Sequence, residues 1–333
     1  MTDIARAARL VAEAPGGSDG PSGAALVKAL KAGGILAARF TLAKLFEALV
    51  AIGRANLSAG RIFEGHVNAV KLLDLQGRAC PDGLLGVWGA DGPAPVRIEG
   101  DRLVGQKLFA SGADTLDHAL VTADLGGRPQ LLLVDTHALR GRLHPDEWNV
   151  SGMKATASGR CDLNDLPMAE VERIGVPGDY LNEPHFQGGV WRYGAVQLGA
   201  MQALTAITAK QLETRGQEAA PLQAMRLRRM VTACETARLW LWQAAQAVER
   251  VDAAPEDAEA AILARLLVAE EAVALMTAMD QALGAASFAI SHPAERIRRD
   301  LGFYIRQANP DGLALGSMAR ILADEGLRGR WIG

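Results

Sequence analysis

The sequence has only three cysteines, Cys80, Cys161 and Cys234, an odd number spread widely along 333 residues. No Cys-x-x-Cys pair and no Cys/His cluster occurs, so the pattern predicts neither a disulfide framework nor a metal site. Reduced thiols of this kind are typical of cytoplasmic proteins.

The chain also lacks a charge excess, because 35 basic and 38 acidic side chains leave a formal net charge of −3. A basic surface for nucleic acid is therefore not expected. No apolar run approaches the roughly 20 residues of a membrane span, and the amphipathic stretch 1–17 lacks the apolar region of a signal peptide. These absences predict a soluble, cytoplasmic protein with no membrane partner.

Aromatic residues are scarce at 5%, whereas 49% of the residues are hydrophobic, many of them alanine and leucine. This composition suits packed helices, and the length allows two or three domains. Helical spacing of apolar residues runs from residue 1 to about 78 and returns from about Gly188. Four long helices are predicted there, at Val190 to Leu212, Pro221 to Arg250, Pro255 to Leu283 and Pro293 to Ile305.

Between these helical regions, Pro81 to about Met168 is rich in glycine, proline and short apolar runs. Two hairpins are predicted in it, at 96–105 and 118–135, and a further strand at 155–165. No Gly-x-Gly-x-x-Gly opens a helix after a strand, which argues against a Rossmann domain. The expected fold class is α+β, mainly α, with an N-terminal helical domain, a small barrel-like β domain and a C-terminal four-helix bundle at 1–79, 80–178 and 179–333.

The most informative stretch is Gln281 to Asp300, which combines a glutamine, small residues, an aromatic, a proline, an acid and a final Arg-Asp pair. It resembles the closing signature of the acyl-CoA dehydrogenase superfamily of flavoproteins, whose domain order is also the one predicted above. The resemblance implies FAD as the cofactor. The positions at the family's spacings are Gln281, Gly284, Phe288, Pro293, Glu295, Arg299 and Asp300.

Local matches in the β region support the resemblance. Residues 105–112 resemble the strand that carries an aromatic against the flavin ring, here Phe109, and a hydroxyl two residues on, here Ser111. Residues 152–159 resemble a fairly specific family stretch. A flavin ring has apolar faces and a polar rim, so an aromatic wall and a hydroxyl suit it. On a strand both side chains project to one face; the alternative is that Phe109 belongs to the core of the β domain.

Residues 86–93 stand where the family has the loop that touches the flavin ring. The resemblance therefore assigns Trp88 and Gly89 to the cofactor. The family usually has Thr-Glu-Pro in this loop, and Gly89-Ala90-Asp91 departs from it.

Other cofactor contacts are implied in the helical bundle. Arg215 is the best match to the arginine that binds the flavin's pyrophosphate, and Gln281, Gly284 and Ala285 match contacts on the adenosine side, all given across a subunit interface. The alternatives are a solvated arginine at a helix end and small residues that serve tight helix packing.

The catalytic glutamate of many family members is missing. Its usual position, eight residues beyond Asp300, is Ala308, and the alternative position is Trp191. Neither side chain can abstract a proton. Glu183 and Asp311 are weak candidates for a relocated base.

Three functions remain open. The first is an FAD-dependent oxidoreductase that takes hydride from an acyl-type small molecule, an acyl thioester among the options, and passes electrons to a partner. The second is a flavin monooxygenase on a substrate without CoA, for which His185 and His292 are of interest; the alternative is that a lone histidine beside a proline is a capped turn residue. The third is a non-catalytic scaffold. Apolar residues on more than one side of 239–248 and 262–276 predict a homodimer or homotetramer.

Overall fold

A computed structural model describes residues 3–17, 19–307 and 309–333. The chain forms two compact units, one of residues up to 39 together with 58–182, and one of residues 40–57 together with 183–333. The predicted fold class is confirmed, with N-terminal helices, a middle β region and a C-terminal helical region. The two boundaries between the three predicted domains, after residues 79 and 178, stay predictions.

Four helices precede the β region: α1 (Ile4–Ala12), α2 (Gly23–Ala32), α3 (Leu42–Ala55) and α4 (Leu57–Leu75). Polar side chains begin the first three, because Asp3, Ser22 and Thr41 each accept a hydrogen bond from a backbone N–H three residues later. Such caps satisfy amide groups that have no partner within the helix.

The β region of the first unit is built on a curled seven-stranded sheet with the order β11-β5-β4-β7-β8-β12, in which β3 also pairs with β7. Both predicted hairpins are confirmed, β4 with β5 and β7 with β8, and β10 lies within the predicted third strand. The strands are β1 (Gly16–Gly17), β2 (Gly20–Pro21), β3 (Leu85–Trp88), β4 (Arg97–Glu99), β5 (Arg102–Val104), β6 (Gln106–Lys107), β7 (His118–Leu125), β8 (Arg128–Asp135), β9 (Leu143–His144), β10 (Arg160–Asp162), β11 (Leu166–Pro167) and β12 (Val171–Ile174).

Helix α4 covers one face of this sheet. Its apolar residues Ala69, Leu72 and Leu73 form one buried cluster with side chains from β3, β7, β8 and β12. His66 of α4 adds two polar links, because its Nε2 lies 2.9 Å from the Leu36 carbonyl and its Nδ1 accepts the backbone N–H of Leu85 at 3.2 Å. The start of β3 is thereby fixed against the helix.

The second unit contains the remaining helices, α5 (Trp191–Thr214), α6 (Pro221–Glu249), α7 (Ala258–Leu283), α8 (Pro293–Tyr304), α9 (Pro310–Ala323) and α10 (Glu325–Trp331). The four predicted helices are confirmed as α5 to α8. The last two helices were not predicted, because Asn309-Pro310 indicates only a break in the sequence. In the structure Asn309 caps α9 by accepting the N–H of Gly312. Pro310 is the first residue of α9, a position to which proline is well suited. Within the described residues, every helix is too short or too polar to cross a membrane.

Helices α3 and α5 approach each other through two glycines. A Cβ atom at Gly53 would lie 2.2 Å from the Val196 carbonyl oxygen, and one at Gly199 would lie 2.2 Å from the Val50 carbonyl oxygen. No side chain fits at these distances, so the close helix contact depends on both glycines.

Gly53→Ala and Gly199→Ala are each expected to lower the free energy of unfolding by about 1–3 kcal/mol, because the added methyl group forces the helices apart. Gly302→Ala in α8 is the matched control, since nothing lies within 4 Å of a Cβ there; it is expected to gain about 0.5–1 kcal/mol. Urea unfolding followed by circular dichroism measures all three. Equal stability of the Gly53 and Gly302 variants would contradict the close packing.

Candidate functional site

Three residues with an unusual backbone lie in two neighbouring loops of the first unit. Phe109, Met153 and Ala157 have φ angles of 55°, 58° and 45°, in the left-handed region that L residues rarely adopt. Only five non-glycine residues of the described chain have a positive φ. Three of the five therefore lie in these two loops. Such strained residues cluster at functional sites, where their surroundings hold them.

Backbone hydrogen bonds join the two loops. The N–H of Ala110 donates to the Gly159 carbonyl at 3.0 Å, and the N–H of Gly112 donates to the Thr156 carbonyl at 2.6 Å. The two family-like stretches, 105–112 and 152–159, are therefore brought together by the fold.

Phe109 is an exposed aromatic residue in one of these two loops. The expectation that it lies on a strand with Ser111 on the same face is wrong, because β6 ends at Lys107 and the left-handed Phe109 turns the chain away from the sheet. Its side chain is 59% exposed, so it is not part of the core. The ring meets Trp148 edge-to-face, with 6.0 Å between centroids. The two side chains form an accessible aromatic wall.

Beside this wall lies a group of hydroxyls. The Ser158 hydroxyl is 3.0 Å from the Ser111 hydroxyl and 2.8 Å from the Thr156 hydroxyl, and the latter donates to the Met153 carbonyl at 2.8 Å. Met153 also accepts the indole N–H of Trp148, at 3.0 Å. Aromatic wall and hydroxyls are thus linked through one carbonyl group.

Trp88 and Gly89 have different environments. Trp88 is 1% exposed, and its indole N–H donates to the Ser111 carbonyl at 3.1 Å. It therefore supports the Ser111 loop from the interior. Gly89 is exposed at the start of the loop that follows β3.

Lys107 fixes that loop from inside. Its side chain is 1% exposed, and its ammonium group contacts Asp91, the Thr122 hydroxyl at 2.9 Å and the Gly89 carbonyl at 3.5 Å. Burial lowers the pKa of Lys107, while the hydrogen bond and charge of Asp91 raise it. The Asp91 carboxylate also accepts the N–H of Val96, at 3.1 Å, so this pair holds both ends of the loop.

A second group of polar side chains lies on the other side of Gly89. Arg61 and Glu64 form a largely buried ion pair on α4. Burial raises the pKa of Tyr180 to about 12, with Arg61 and Glu64 near enough to influence it. A Cβ at Gly89 would lie 3.0 Å from the Tyr180 hydroxyl, so a glycine there leaves room for the tyrosine.

In the second unit, Arg215 and His292 lie at the same end of the helices. Arg215 is exposed at the C-cap of α5. His292 caps α8, as expected: its Nδ1 accepts the N–H of Ala294 at 3.2 Å, and its Nε2 lies 2.7 Å from the Gln211 side-chain oxygen. The proton therefore sits on Nε2, which donates to Gln211. Burial and the positive charge of Arg215 both lower the pKa of His292.

Gln281, Gly284 and Ala285 are all exposed at the end of α7. Gly284 has a φ of 69°, and nothing lies within 4 Å of a Cβ built there. Its backbone conformation therefore accounts for the glycine, whereas tight helix packing does not.

The two possible positions of the family base contain no carboxylate. Ala308 lies outside the described residues. Trp191 is fully buried, and its indole N–H donates to Glu249 at 3.1 Å. Glu249 also forms an ion pair with the buried Arg192, so its carboxylate is already engaged.

The weaker base candidates have other surroundings. Glu183 accepts the N–H of Gln187 at 3.0 Å and that of Gly188 at 3.4 Å, which caps the turn before α5. Burial raises the pKa of Glu183, and these two amide hydrogen bonds lower it. Asp311 is exposed in the first turn of α9. Neither geometry resembles a base poised in a pocket.

Residues 185–304 match a family model described as the acyl-CoA dehydrogenase C-terminal domain. Solved structures extend the similarity to nearly the whole chain. TdsC from a Paenibacillus species, described as a dibenzothiophene monooxygenase and solved with FMN and indole, is 17% identical, with a TM-score of 0.76 and 96% of each chain covered. The chain has the acyl-CoA dehydrogenase fold.

Two further structures share the acyl-CoA dehydrogenase fold with this chain. A nitrososynthase from Micromonospora carbonacea is 17% identical, with a TM-score of 0.76 and 98% of each chain covered. XiaF from a Streptomyces species, solved with FADH2 and glycerol, is 21% identical, with a TM-score of 0.70, covering 95% of this chain and 94% of XiaF. A search of curated protein sequences found no match.

Several polar groups of this candidate site were not predicted from the sequence. Lys107 stands two residues before Phe109 in the matched stretch. The resemblance assigns roles only to Phe109 and Ser111, so it does not predict that the Lys107 ammonium group is buried. The Arg61–Glu64 ion pair could have been predicted from the sequence, because two opposite charges three residues apart interrupt an apolar helix face. Ser158 lies within a matched stretch, but its link to Ser111 depends on the loops meeting.

The stability of the protein is expected to fall at acidic pH through His292. Its pKa is lowered in the folded state, whereas the unfolded chain takes up a proton at the ordinary value of 6.5. The contribution of the neutral cap is therefore complete above this value and is lost as the pH falls. His292→Asn keeps a capping acceptor without a titrating group. Urea unfolding between about pH 7.5 and pH 5.5 should show wild type losing more stability than the variant; parallel curves would contradict the assignment.

Proposed function

We propose that this protein binds a flavin ring against Phe109 and Trp148, with Ser111 at the polar rim, and is a flavin-dependent oxidoreductase. The observation that carries the proposal is the exposed Phe109, held in a left-handed conformation beside the Ser111 hydroxyl. The strained backbone at Phe109 does not improve the packing of the core, because the side chain is exposed. A planar ring with apolar faces and a polar rim is the kind of ligand that fits such a wall.

FAD is the form of flavin that we propose. Arg215 offers an exposed cation for the pyrophosphate, and Gln281, Gly284 and Ala285 offer an accessible helix end for the adenosine. Because a flavoenzyme of this kind would share the cofactor between copies, the proposal includes a homodimer or homotetramer. XiaF was solved with FADH2 and TdsC with FMN, so structures of this fold accommodate both forms.

The reaction that we propose is oxygenation of a small molecule without CoA. In such a reaction one oxygen atom of O2 enters the substrate and the other leaves as water, with two electrons and two protons taken from the reduced flavin. Two observations support it. Trp191 occupies one position of the family base, and Glu183 and Glu249 are engaged in other contacts. TdsC is described as a monooxygenase. Tyr180, whose hydroxyl lies next to Gly89 with Arg61 near enough to influence it, is the proposed polar contact for the substrate.

Hydride transfer from an acyl-type substrate, with a separate electron acceptor, is the second candidate. The match of residues 185–304 to the acyl-CoA dehydrogenase domain favours it. Its weak point is chemical, since a carboxylate within reach of the substrate's α proton has yet to be assigned.

Replacement of the exposed aromatic tests the cofactor site. Phe109→Ala is expected to weaken flavin binding about two- to twelvefold, because an aromatic contact contributes about 0.5–1.5 kcal/mol beyond the buried area. Leu222→Ala, at another exposed apolar side chain, serves as the control and should bind flavin like wild type. Titration of FAD and FMN, followed by flavin fluorescence, measures the affinities. Equal affinity of wild type and Phe109→Ala would remove Phe109 from the site.

The two reactions are distinguished by what happens to the bound flavin. Reduced flavin on the protein is expected to be reoxidised rapidly by O2, and the oxidised form should not be bleached by short- or long-chain acyl-CoA thioesters without oxygen. Stopped-flow absorbance near the flavin band measures both. Bleaching by a thioester would instead establish the dehydrogenase function, and a protein that binds neither FAD nor FMN would be a scaffold.

A further inference from the structure

Arg265 on α7 is a fully buried cation, with 0% of the residue exposed. Its Nη2 donates to the carbonyls of Ile305 and Gln307, at 2.6 and 2.9 Å, just beyond the end of α8. Its Cζ lies 5.4 Å from the centroid of the Tyr193 ring, a cation–π contact. The N–H groups on Nε and Nη1 have no acceptor among the residues that the structure describes. Because buried N–H groups without acceptors are costly, this arrangement is incomplete without a further partner.

Other buried charges of the second unit have a partner of opposite sign. Arg192 on α5 forms an ion pair with Glu249 on α6. Glu259 on α7 forms one with Arg320 on α9. Arg265 differs, because its hydrogen-bond partners within the described ranges are carbonyl oxygens. Carbonyl groups and an aromatic face reduce the cost of burying a positive charge, but they do not neutralise it.

A second buried polar group contacts the same backbone segment. Gln197 on α5 is 0% exposed, and its Nε2 donates to the Tyr304 carbonyl at 3.3 Å. Its side-chain oxygen has no hydrogen-bond partner in the described part of the chain. Unused donors of Arg265 and an unused acceptor of Gln197 thus both lie on side chains that bind residues 304–307. Buried polar groups without partners are rare in folded proteins, and a bound ion or small molecule is one explanation for them.

We propose that Arg265 binds the carboxylate group of a small molecule, which accepts hydrogen bonds from the unused N–H groups and supplies the missing negative charge. A planar carboxylate suits the planar guanidinium, and its single negative charge balances that of Arg265. A phosphate group carries about 1.5–2 negative charges at neutral pH and would leave part of this charge without a partner. The inference goes beyond the proposed flavin site, because every residue that carries it belongs to the second unit.

Binding of formate, the smallest carboxylate, tests this site in protein without added flavin. A small probe is needed because the guanidinium is fully buried, and dialysis must be long enough for exchange with an enclosed site. We expect wild type to bind one radiolabelled formate per chain in equilibrium dialysis. Arg265→Met nearly keeps the length of the side chain and removes its charge. It is expected to weaken formate binding about tenfold or more, because hydrogen bonds to a charged group are lost.

Arg306→Met is the matched control. Arg306 is exposed beyond the end of the same helix, and its Nη1 donates to the Gly302 carbonyl at 2.7 Å; its replacement should leave formate binding unchanged. Urea unfolding at increasing formate concentration separates ligand binding from a structural role. Formate should raise the urea midpoint of wild type and Arg306→Met but not of Arg265→Met, because a ligand stabilises only a folded state that binds it.

Arg265→Lys keeps the test available if Arg265→Met does not fold. It retains a positive charge but not the planar array of N–H groups, so it should bind formate several-fold more weakly than wild type. Wild type that binds no formate, a variant at position 265 that binds it as tightly as wild type, or a midpoint difference that is independent of formate would each overturn the proposal. A protein that binds formate but neither FAD nor FMN overturns only the flavin site.

Discussion

The two backbone hydrogen bonds between the loops at 109–112 and 153–159 are the constraint on which the candidate site depends. They hold Phe109 and Ala157 in backbone conformations that neither side chain favours. They also bring Ser111 next to Ser158 and Trp148 next to Phe109. These contacts join residues 39 to 49 positions apart, so the site exists only when the β region is folded.

Rigidity in the second unit has a different origin. Helices α3 and α5 approach so closely at Gly53 and Gly199 that backbone lies against backbone. Close packing of this kind leaves few alternative arrangements. At one end of these helices the buried Arg192 is neutralised by Glu249, and Trp191 donates to the same carboxylate. Trp191, at a position where the family base could have stood, is thus hydrogen-bonded to a structural ion pair.

The sequence predicted the helices and hairpins well, because their apolar periodicities and turn residues are local signals. The fold class followed from the same signals and from the motif at 281–300. Residues at contacts between distant segments were harder to place. Phe109 was expected on a strand because Leu108 and Ala110 alternate with it, but its left-handed turn is set by hydrogen bonds to a loop 50 residues away. Helices α9 and α10 were missed because Asn309-Pro310 was interpreted only as a break, whereas Asn309 caps α9 and Pro310 is its first residue.

Lys107 is a polar residue of the candidate site that does not reach the protein surface. Its amine is enclosed between Asp91, Thr122 and the Gly89 carbonyl, with 1% of the side chain exposed. Acylating agents and aldehydes in solution reach an amine only when it is accessible and unprotonated. Because the amine of Lys107 is buried and paired with Asp91, it is expected to react with such reagents more slowly than exposed lysines do.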